Sequence, residues 1–597
     1  MIRGHIDFDL LDRHTPLPSE PLTQGQALVL PGLELFADGL HVQVFQESHA
    51  VLLVIGTPRV RDVRLAQHIK YSGWGYVLPW LRSTPKDILN QLGGRFSLLW
   101  LNTQNGRIGL ASDRFNTYGF CYAQEGRRIA FADRADAVPV SARTLDPQAL
   151  FNYLYFHVIP APATIFCGVK RLQPGAWLEA SAEGVVEQPW WVAKFDEPPK
   201  SKFYPLAETF RTLVHEAVLR ETSNGQVGAF LSGGTDSSTV VGMLAKATGQ
   251  APQAYSIGFE AEGYDEMEFA RIAANHFGAQ HRAYYVTPSD LVEGIPQVAA
   301  HYDQPFGNSS SLPAYYCAKM ARADGLTKLL AGDGGDELFG GNTRYAKQRI
   351  FGYYDNVPGI FKSPLEFFLK QTRSLPLLRK AASYVDQANQ PLPDRMEQYN
   401  LLHRLGIDNI FAPNFLSQVD LQAPMQLQQQ VWQSVQAKTL INKMLGFDWR
   451  FTLADNDLPK VLGTTSLAGM QVAFPFLDDD LVDFSLALPP KYKLHGLKLR
   501  WFFKEALRDF LPDEIITKKK QGFGLPFGHW ALKDPALRQL ARSSLMAFAD
   551  RGVLRGDFLV ELFDKRLPEH PGYYGEMVWI AMMLEQWLDA KAPEFHL

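Results

Sequence analysis

The sequence predicts two joined α/β units, a strand-rich one at the N-terminus followed by one built on a parallel sheet wound with helices on both faces. Three observations carry this. A chain of 597 residues is too long for one hydrophobic core. Its first third alternates short apolar runs with turns, as in QALVLPGLELF, HVQVFQE, AVLLVIG, RFSLLWL, GRIGLASD and RRIAFAD. From Leu206 onward, short apolar runs at 227–231, 253–259, 282–286 and 328–332 are separated by helical periodicity, the pattern of βαβ units. The segment WWVAKFDEPPKSKFYP combines proline with clustered charge and predicts the boundary, giving units at 1–195 and 205–597. Beyond about residue 345 the chain reads as mainly helical, ending in GEMVWIAMMLEQWLDA, a core-packing helix.

Composition removes several classes of function. Hydrophobic residues at 46% and charged residues at 20% are ordinary for a folded globular enzyme. A formal net charge of -4 speaks against a general binder of nucleic acid or anionic membrane, so neither is expected as a partner. Cys121, Cys167 and Cys317 are widely spaced and form no CxxC pair, which argues against a disulfide framework or thiolate zinc and for a reducing cytoplasm. The N-terminal stretch has acidic residues where a signal peptide needs an apolar core, and no uncharged apolar run reaches membrane-spanning length.

The strongest chemical signal is Leu231, Ser232, Gly233, Gly234, Thr235, Asp236, Ser237 and Ser238, where an apolar strand gives way to a helix. Two glycines let the backbone approach an anion closely, and the helix N-terminus with its serine hydroxyls favours phosphate oxygens. Asp236 would repel phosphate by itself and is read as a magnesium ligand. A bare glycine turn with an Asp cap is the structural alternative. The whole motif at a strand end favours nucleotide.

Ser-Gly-Gly-x-Asp-Ser resembles the pyrophosphate loop of the ATP-pyrophosphatases, and specifically of the asparagine synthetase superfamily. It lacks the lysine of a Walker loop. The resemblance implies ATP and magnesium, cleavage between the α and β phosphates, and attack by a carboxylate to form an acyl-adenylate that passes to a nitrogen nucleophile. It implies a doubly wound ATP-pyrophosphatase domain behind an Ntn-hydrolase-like, glutaminase-like α/β/β/α domain. A second cluster, Ala331-Gly332-Asp333-Gly334-Gly335-Asp336-Glu337, resembles the family's metal-and-adenylate loop. On that likeness Ala331 and Gly332 contact nucleotide, Asp336 joins Asp236 on metal, and Asp333 faces the reacting carbonyl. YSIGF, with Ile257, resembles the adenine-reading strand, and YDEMEFA the acidic segment after it. In HYDQPFGNSSSLPAYY, Asp303 is expected near the loops, and Ser309 to Ser311 serve the site or cap a helix. In KKKQGFG, Lys520 matches the family's lysine and would stabilise charge on phosphorus and on the tetrahedral intermediate, leaving Lys518 and Lys519 solvated.

Departures from the family narrow the reading. Glutamine-using members begin Met-Cys-Gly, whereas this sequence has Met1-Ile2-Arg3-Gly4, so Arg3 stands at the nucleophile position. The Asn-Gly-Glu motif reads Ile55-Gly56-Thr57. An inactive glutaminase-like domain is therefore expected. Charged residues of aspartate-using relatives are replaced by Leu462-Gly463 and Gln471-Val472-Ala473, which suggests an altered pocket. Members without the N-terminal cysteine join a carboxylate to an amine of the same molecule. Asp333, where β-lactam-forming members have tyrosine, leaves resemblance to lasso-peptide macrolactam cyclases as the preferred expectation, with a peptide substrate and a leader-peptide protease as a partner. The alternative is an asparagine-synthetase-like amidotransferase using free or externally supplied ammonia. A tRNA-modifying enzyme or an inert scaffold fits less well.

Overall fold

The computed structural model describes residues 1–14, 16–18, 22–39, 41–199, 201–222, 226–355, 357–371, 376–397, 400–519 and 524–597. Strands are numbered in chain order. One antiparallel sheet comprises β1 (Ile2–Asp7), β2 (Ala27–Leu30), β3 (Leu33–Ala37), β8 (Cys121–Glu125), β9 (Arg128–Ala132) and β10 (Val169–Arg171), in the order β10-β8-β9-β1-β3-β2. A second comprises β4 (Val42–Glu47), β5 (Ala50–Val60), β6 (Leu92–Asn102), β7 (Arg107–Ser112), β11 (Ala176–Ser181) and β12 (Gly184–Pro189), in the order β12-β11-β7-β6-β5-β4.

The run AVLLVIG is apolar throughout because β5 is covered on both faces. Val51 and Leu53 join Leu99, Leu35 and Ile6 in the core between the sheets. Leu52 and Val54 join Val77, Leu78 and Leu81 of the helical segment outside the second sheet. On the far side of the first sheet, Ala130 and Ala132 of β9 pack with Leu150 and Leu154 of the helix Pro147–Phe156. The result is the α/β/β/α layering.

The second unit carries β13 (Val227–Phe230), β14 (Gln253–Phe259), β15 (Gln280–Val286), β16 (Lys328–Leu330) and β17 (Gln471–Ala473), all paired in parallel, in the order β15-β14-β13-β16-β17. The direction of winding reverses between β13 and β16, and in such sheets the crevice beyond the strand C-termini at the reversal is where ligands bind. The fifth strand was not foreseen. It is three residues long, and its partner lies more than a hundred residues upstream, so no local pattern announces it.

The two units share a core. Phe151 and Tyr153 of the helix Pro147–Phe156 are buried in one cluster with Trp579 and Ile580 of the terminal helix Pro571–Lys591, and Tyr153 Oη donates to the Ile580 carbonyl at 3.0 Å. A second seam is ionic. Arg59, Arg61 and Arg114 of the first unit meet Asp478, Asp479, Asp480 and Asp483 of the second, with Arg114 Nε 2.9 Å from Asp479 Oδ1 and both side chains buried.

The connecting segment docks on a buried lysine. Lys493 Nζ donates to Asn442 Oδ1 at 2.8 Å and lies 4.7 Å over the Phe195 ring. Burial pulls its pKa down to about 7, an effect only partly opposed by Glu197. Between about 7 and the ordinary 10.5 the unfolded chain binds a proton that the folded chain does not. Stability must therefore rise with pH across that window. Lys493→Met is expected to raise the Tm at pH 7, with the gain over wild type shrinking towards pH 10; a gain independent of pH would refute the assignment to charge burial.

Candidate functional site

The site is assembled from two loops that leave β13 and β16 on either side of the reversal. Glycines allow them to touch. Gly233 adopts φ +70, and a Cβ there would lie 2.4 Å from the Ala270 amide nitrogen. A Cβ at Gly332 would lie 2.9 Å from the Ser237 nitrogen, and one at Gly335 2.3 Å from Asp236 Oδ1. The sequence pattern of small residues is thus a pattern of backbone contact.

The first loop turns into the helix Thr235–Thr248, whose opening amides lack intrahelical carbonyl partners, as at any helix start, and whose first residues line the crevice. Ser237 Oγ accepts from the Ser232 amide at 3.1 Å and lies 3.0 Å from Ser232 Oγ, fixing both hydroxyls at the loop. Leu231, Ser232, Gly234, Thr235, Asp236, Ser237 and, from β14, Ile257 line a cavity of about 980 Å³, as do Gly332, Asp333 and Asp336 from the other loop.

Three sequence-derived nucleotide contacts do not line it. Gly233 lies against the Phe269–Ala270 backbone, Ser238 is fully buried in the helix one turn in, and Ala331 is buried while donating to the Ala473 carbonyl at 2.9 Å. Each supports the wall from behind, because the chain direction alternates between exposed and buried as the loops close. Asp303 is likewise displaced from its expected place. It accepts from Arg171 Nη2 at 2.7 Å and from the Ala135 amide at 2.8 Å, holding the two units together away from the loops. Ser310 lines the cavity, whereas Ser311 is buried.

Asp236 and Asp336 converge on one side chain that the sequence reading missed. Arg500 Nη1 lies 2.5 Å from both carboxylate oxygens of Asp236 and 3.0 Å from Asp336 Oδ1. Its backbone holds φ +50, in the left-handed region, and its amide donates to the Gly340 carbonyl at 3.1 Å. Nothing in LKLRWFF marks this arginine as different from a surface cation.

Beside this pair sits a second missed group. Lys460 Nζ lies 2.9 Å from Asp457 Oδ1 and 3.5 Å from Asp333 Oδ1, with Lys460 only 15% exposed. The two carboxylates push the ammonium pKa up against the cost of burial. Burial pushes the Asp333 carboxyl up, and Lys460 pulls it back. Glu337, buried beside Asp336 and Asp457, is pushed well above the usual carboxylate range by burial first and those charges second.

Lys520 lies outside the described residues. Its neighbour Lys518, expected to be solvated, is 9% exposed: its Nζ sits 3.0 Å from Glu266 Oε1 and 4.4 Å over the Phe269 ring. Lys518, Lys519 and Lys504 also line the cavity.

Among the described residues no cluster of three or more His, Cys, Asp or Glu side chains could hold a metal by itself. Two carboxylates brought to one nitrogen atom do fit a hard divalent cation whose remaining ligands are phosphate and water oxygens. Among the described residues no helix is long and apolar enough to cross a membrane.

A reversal-point crevice with a glycine loop at a helix N-terminus, paired acids and several lysines fits a nucleotide with its divalent cation, and likeness to known proteins makes the chain an ATP-dependent carbon–nitrogen ligase that forms AMP and pyrophosphate. Comparison with known proteins gives the family. Residues 209–589 match the asparagine synthase family and residues 76–191 the glutamine amidotransferase domain, so the chain belongs to the asparagine synthase family. It is 23% identical over 556 residues to asparagine synthetase [glutamine-hydrolyzing] 1 of Bacillus subtilis, covering 92% of this chain and 83% of that one. It is 22% identical over 464 residues to asparagine synthetase [glutamine-hydrolyzing] 3 of the same organism, covering 73% and 68%. It is 25% identical over 498 residues to the amidase chry2 of Gibberella zeae, covering 74% and 71%.

Proposed function

We propose that the chain is an asparagine-synthetase-like amidotransferase that activates a carboxylate with ATP and transfers it to ammonia supplied from outside its own N-terminal domain. The observation that carries the reading is the convergence of Asp236 and Asp336 at the reversal point, within a cavity large enough for a nucleotide and a second small substrate. Support for ammonia comes from the glutamine amidotransferase match and from relatives named as asparagine synthetases along most of their length.

In this reading the amides of residues 235–237 with Ser232 and Ser237 bind phosphate, and the β14 backbone at Ile257 reads adenine. Asp236 and Asp336 would hold magnesium, which neutralises the pyrophosphate as it leaves. A substrate carboxylate oxygen bonds to the α-phosphorus as the bond to the bridging oxygen of pyrophosphate breaks. Nitrogen then bonds to the acyl carbon, AMP departs with the electrons of the acyl–oxygen bond, and the nitrogen loses a proton. Lys520 and the buried Lys518 supply positive charge where oxyanions develop. Asp333, held by Lys460, faces the acyl group.

Several features support an inactive glutaminase-like domain. Arg3 is exposed on β1, 5.9 Å from the Phe36 ring. Burial pushes the Cys121 thiol up to about 12, far from a nucleophilic thiolate, and pushes Cys317 up too. Ring closure within a peptide is the rival reading. The replaced positions that suggested an altered pocket are not among the residues that line the cavity: Gly463 lies beneath Tyr302, where a Cβ would come 2.4 Å from the ring, and Val472 and Ala473 are buried in β17.

The deciding experiment measures pyrophosphate release from ATP and magnesium with aspartate plus ammonium, with aspartate plus glutamine, and with carboxylate-bearing peptides. Release that requires ammonium is the expected result. Turnover supported by glutamine would overturn the inactive domain, and release with a peptide that loses one water would establish cyclisation instead.

A further inference from the structure

The Asp236–Arg500–Asp336 clasp explains more than the family likeness does. Two acidic side chains placed to share one divalent cation repel each other when that cation is absent, and both are largely removed from water, at 18% and 23% exposed. Arg500 answers that repulsion from within the chain, at 10% exposed, and burial would not otherwise favour a guanidinium there. Its placement is built in. Gly341 leaves the room it needs, since a Cβ at that position would fall 1.6 Å from Asp336 Oδ1 and 2.9 Å from Arg500 Cδ. The left-handed backbone at Arg500, tied to the Gly340 carbonyl, aims the side chain into the gap between the two loops.

We propose that Arg500 is a resident counter-cation that occupies the metal position between Asp236 and Asp336, so that a divalent cation enters only when nucleotide arrives with it. This rests on the assignment of those two carboxylates to metal. A free divalent ion has to displace a guanidinium nitrogen that both carboxylates share and leave that charge uncompensated in a cavity already lined by Lys504, Lys518 and Lys519. A metal–nucleotide complex brings its own anionic oxygens, which compensate the released guanidinium. The consequence is an order of binding: the enzyme holds metal weakly alone and tightly with nucleotide. Magnesium is thereby kept from neutralising the site before there is a phosphate chain to neutralise.

The test uses the full chain and Mn2+ binding followed by the paramagnetic signal of the free ion, with no turnover required. A clasp closed in nine molecules of ten reduces the apparent affinity by that fraction, so opening it should tighten binding about tenfold. Arg500→Gln is expected to bind Mn2+ alone at least about tenfold more tightly than wild type, and the difference should vanish when an ATP analogue with a non-hydrolysable α–β bridge is added. Arg500→Lys, which keeps the charge but ends in a compact ammonium nearer the backbone than the Nη1 that both carboxylates share, should fall between them and serves if the glutamine variant does not fold. Equal or weaker Mn2+ binding by both variants would overturn the clasp. Asp236→Asn separates the two ideas: if it binds Mn2+ as well as wild type with nucleotide present, the metal assignment itself has failed.

Discussion

Asp236→Asn is expected to lower pyrophosphate release by at least about a hundredfold while leaving the fold intact, since removing a single electrostatic stabiliser from a water-poor active site costs that much or more. The side chain does two things that asparagine cannot. It offers an anionic oxygen to a cation from the helix N-terminus, where the loop geometry is fixed by Gly332 and Gly335 packing against it. It also balances Arg500, which in the variant would keep Asp336 as its partner at 3.0 Å. Because that partner remains, the thermal melt should shift by only a few degrees. The check is steady-state pyrophosphate release alongside a circular-dichroism melt. Retention of more than a tenth of wild-type turnover would remove Asp236 from the metal site; collapse of the melt would make its role structural.

Lys460→Met should have the largest effect on stability. It removes the ammonium shared by Asp457 and Asp333 and leaves two largely buried carboxylates, with Glu337 nearby, on the wall of the cavity. Breaking a buried ion pair from one side costs about 3–5 kcal/mol. The pH dependence identifies the cause. Without the ammonium the folded-state pKa values of these carboxylates rise, so the folded chain binds more protons than the unfolded one from about pH 4 upward. The deficit should therefore widen from pH 5 to pH 8 in denaturant titrations. A constant deficit would point to lost packing of the aliphatic stem. Activity should fall as well, because Asp333 would lose the group that orients it.

Much of this fold was legible because short apolar or aromatic runs recur between helical stretches, and the two that carry the site, β13 and β16, lead into glycine loops. The four strands β13 to β16 could be found from residues alone, and with them both loops, since a strand end followed by Ser-Gly-Gly or Gly-Asp-Gly-Gly is a local pattern. The groups that were missed share a different property. Arg500 and Lys460 acquire their meaning from residues far along the chain, 264 and 127 positions away for the contacts to Asp236 and Asp333. A lone Arg or Lys among apolar neighbours has no spacing that reports such a partner. Lys460 did leave a trace, three residues after Asp457 on one helical face. Lys518 was misjudged for the converse reason. A run of three lysines suggests a solvated face, and only the fold shows that the first of them turns inward to Glu266.

The helix Pro147–Phe156 belongs by sequence to the first unit, yet it is buried in one cluster with the terminal helix of the second. Deleting the N-terminal unit would strip Trp579 and Ile580 of their lid and open an apolar face on the ligase. Such a helix binds the history of the two units as firmly as their structure. Whatever chemistry the front half carries, the chain cannot discard that half without uncovering this face. The packing of the ligase alone is enough to hold the N-terminal unit in place.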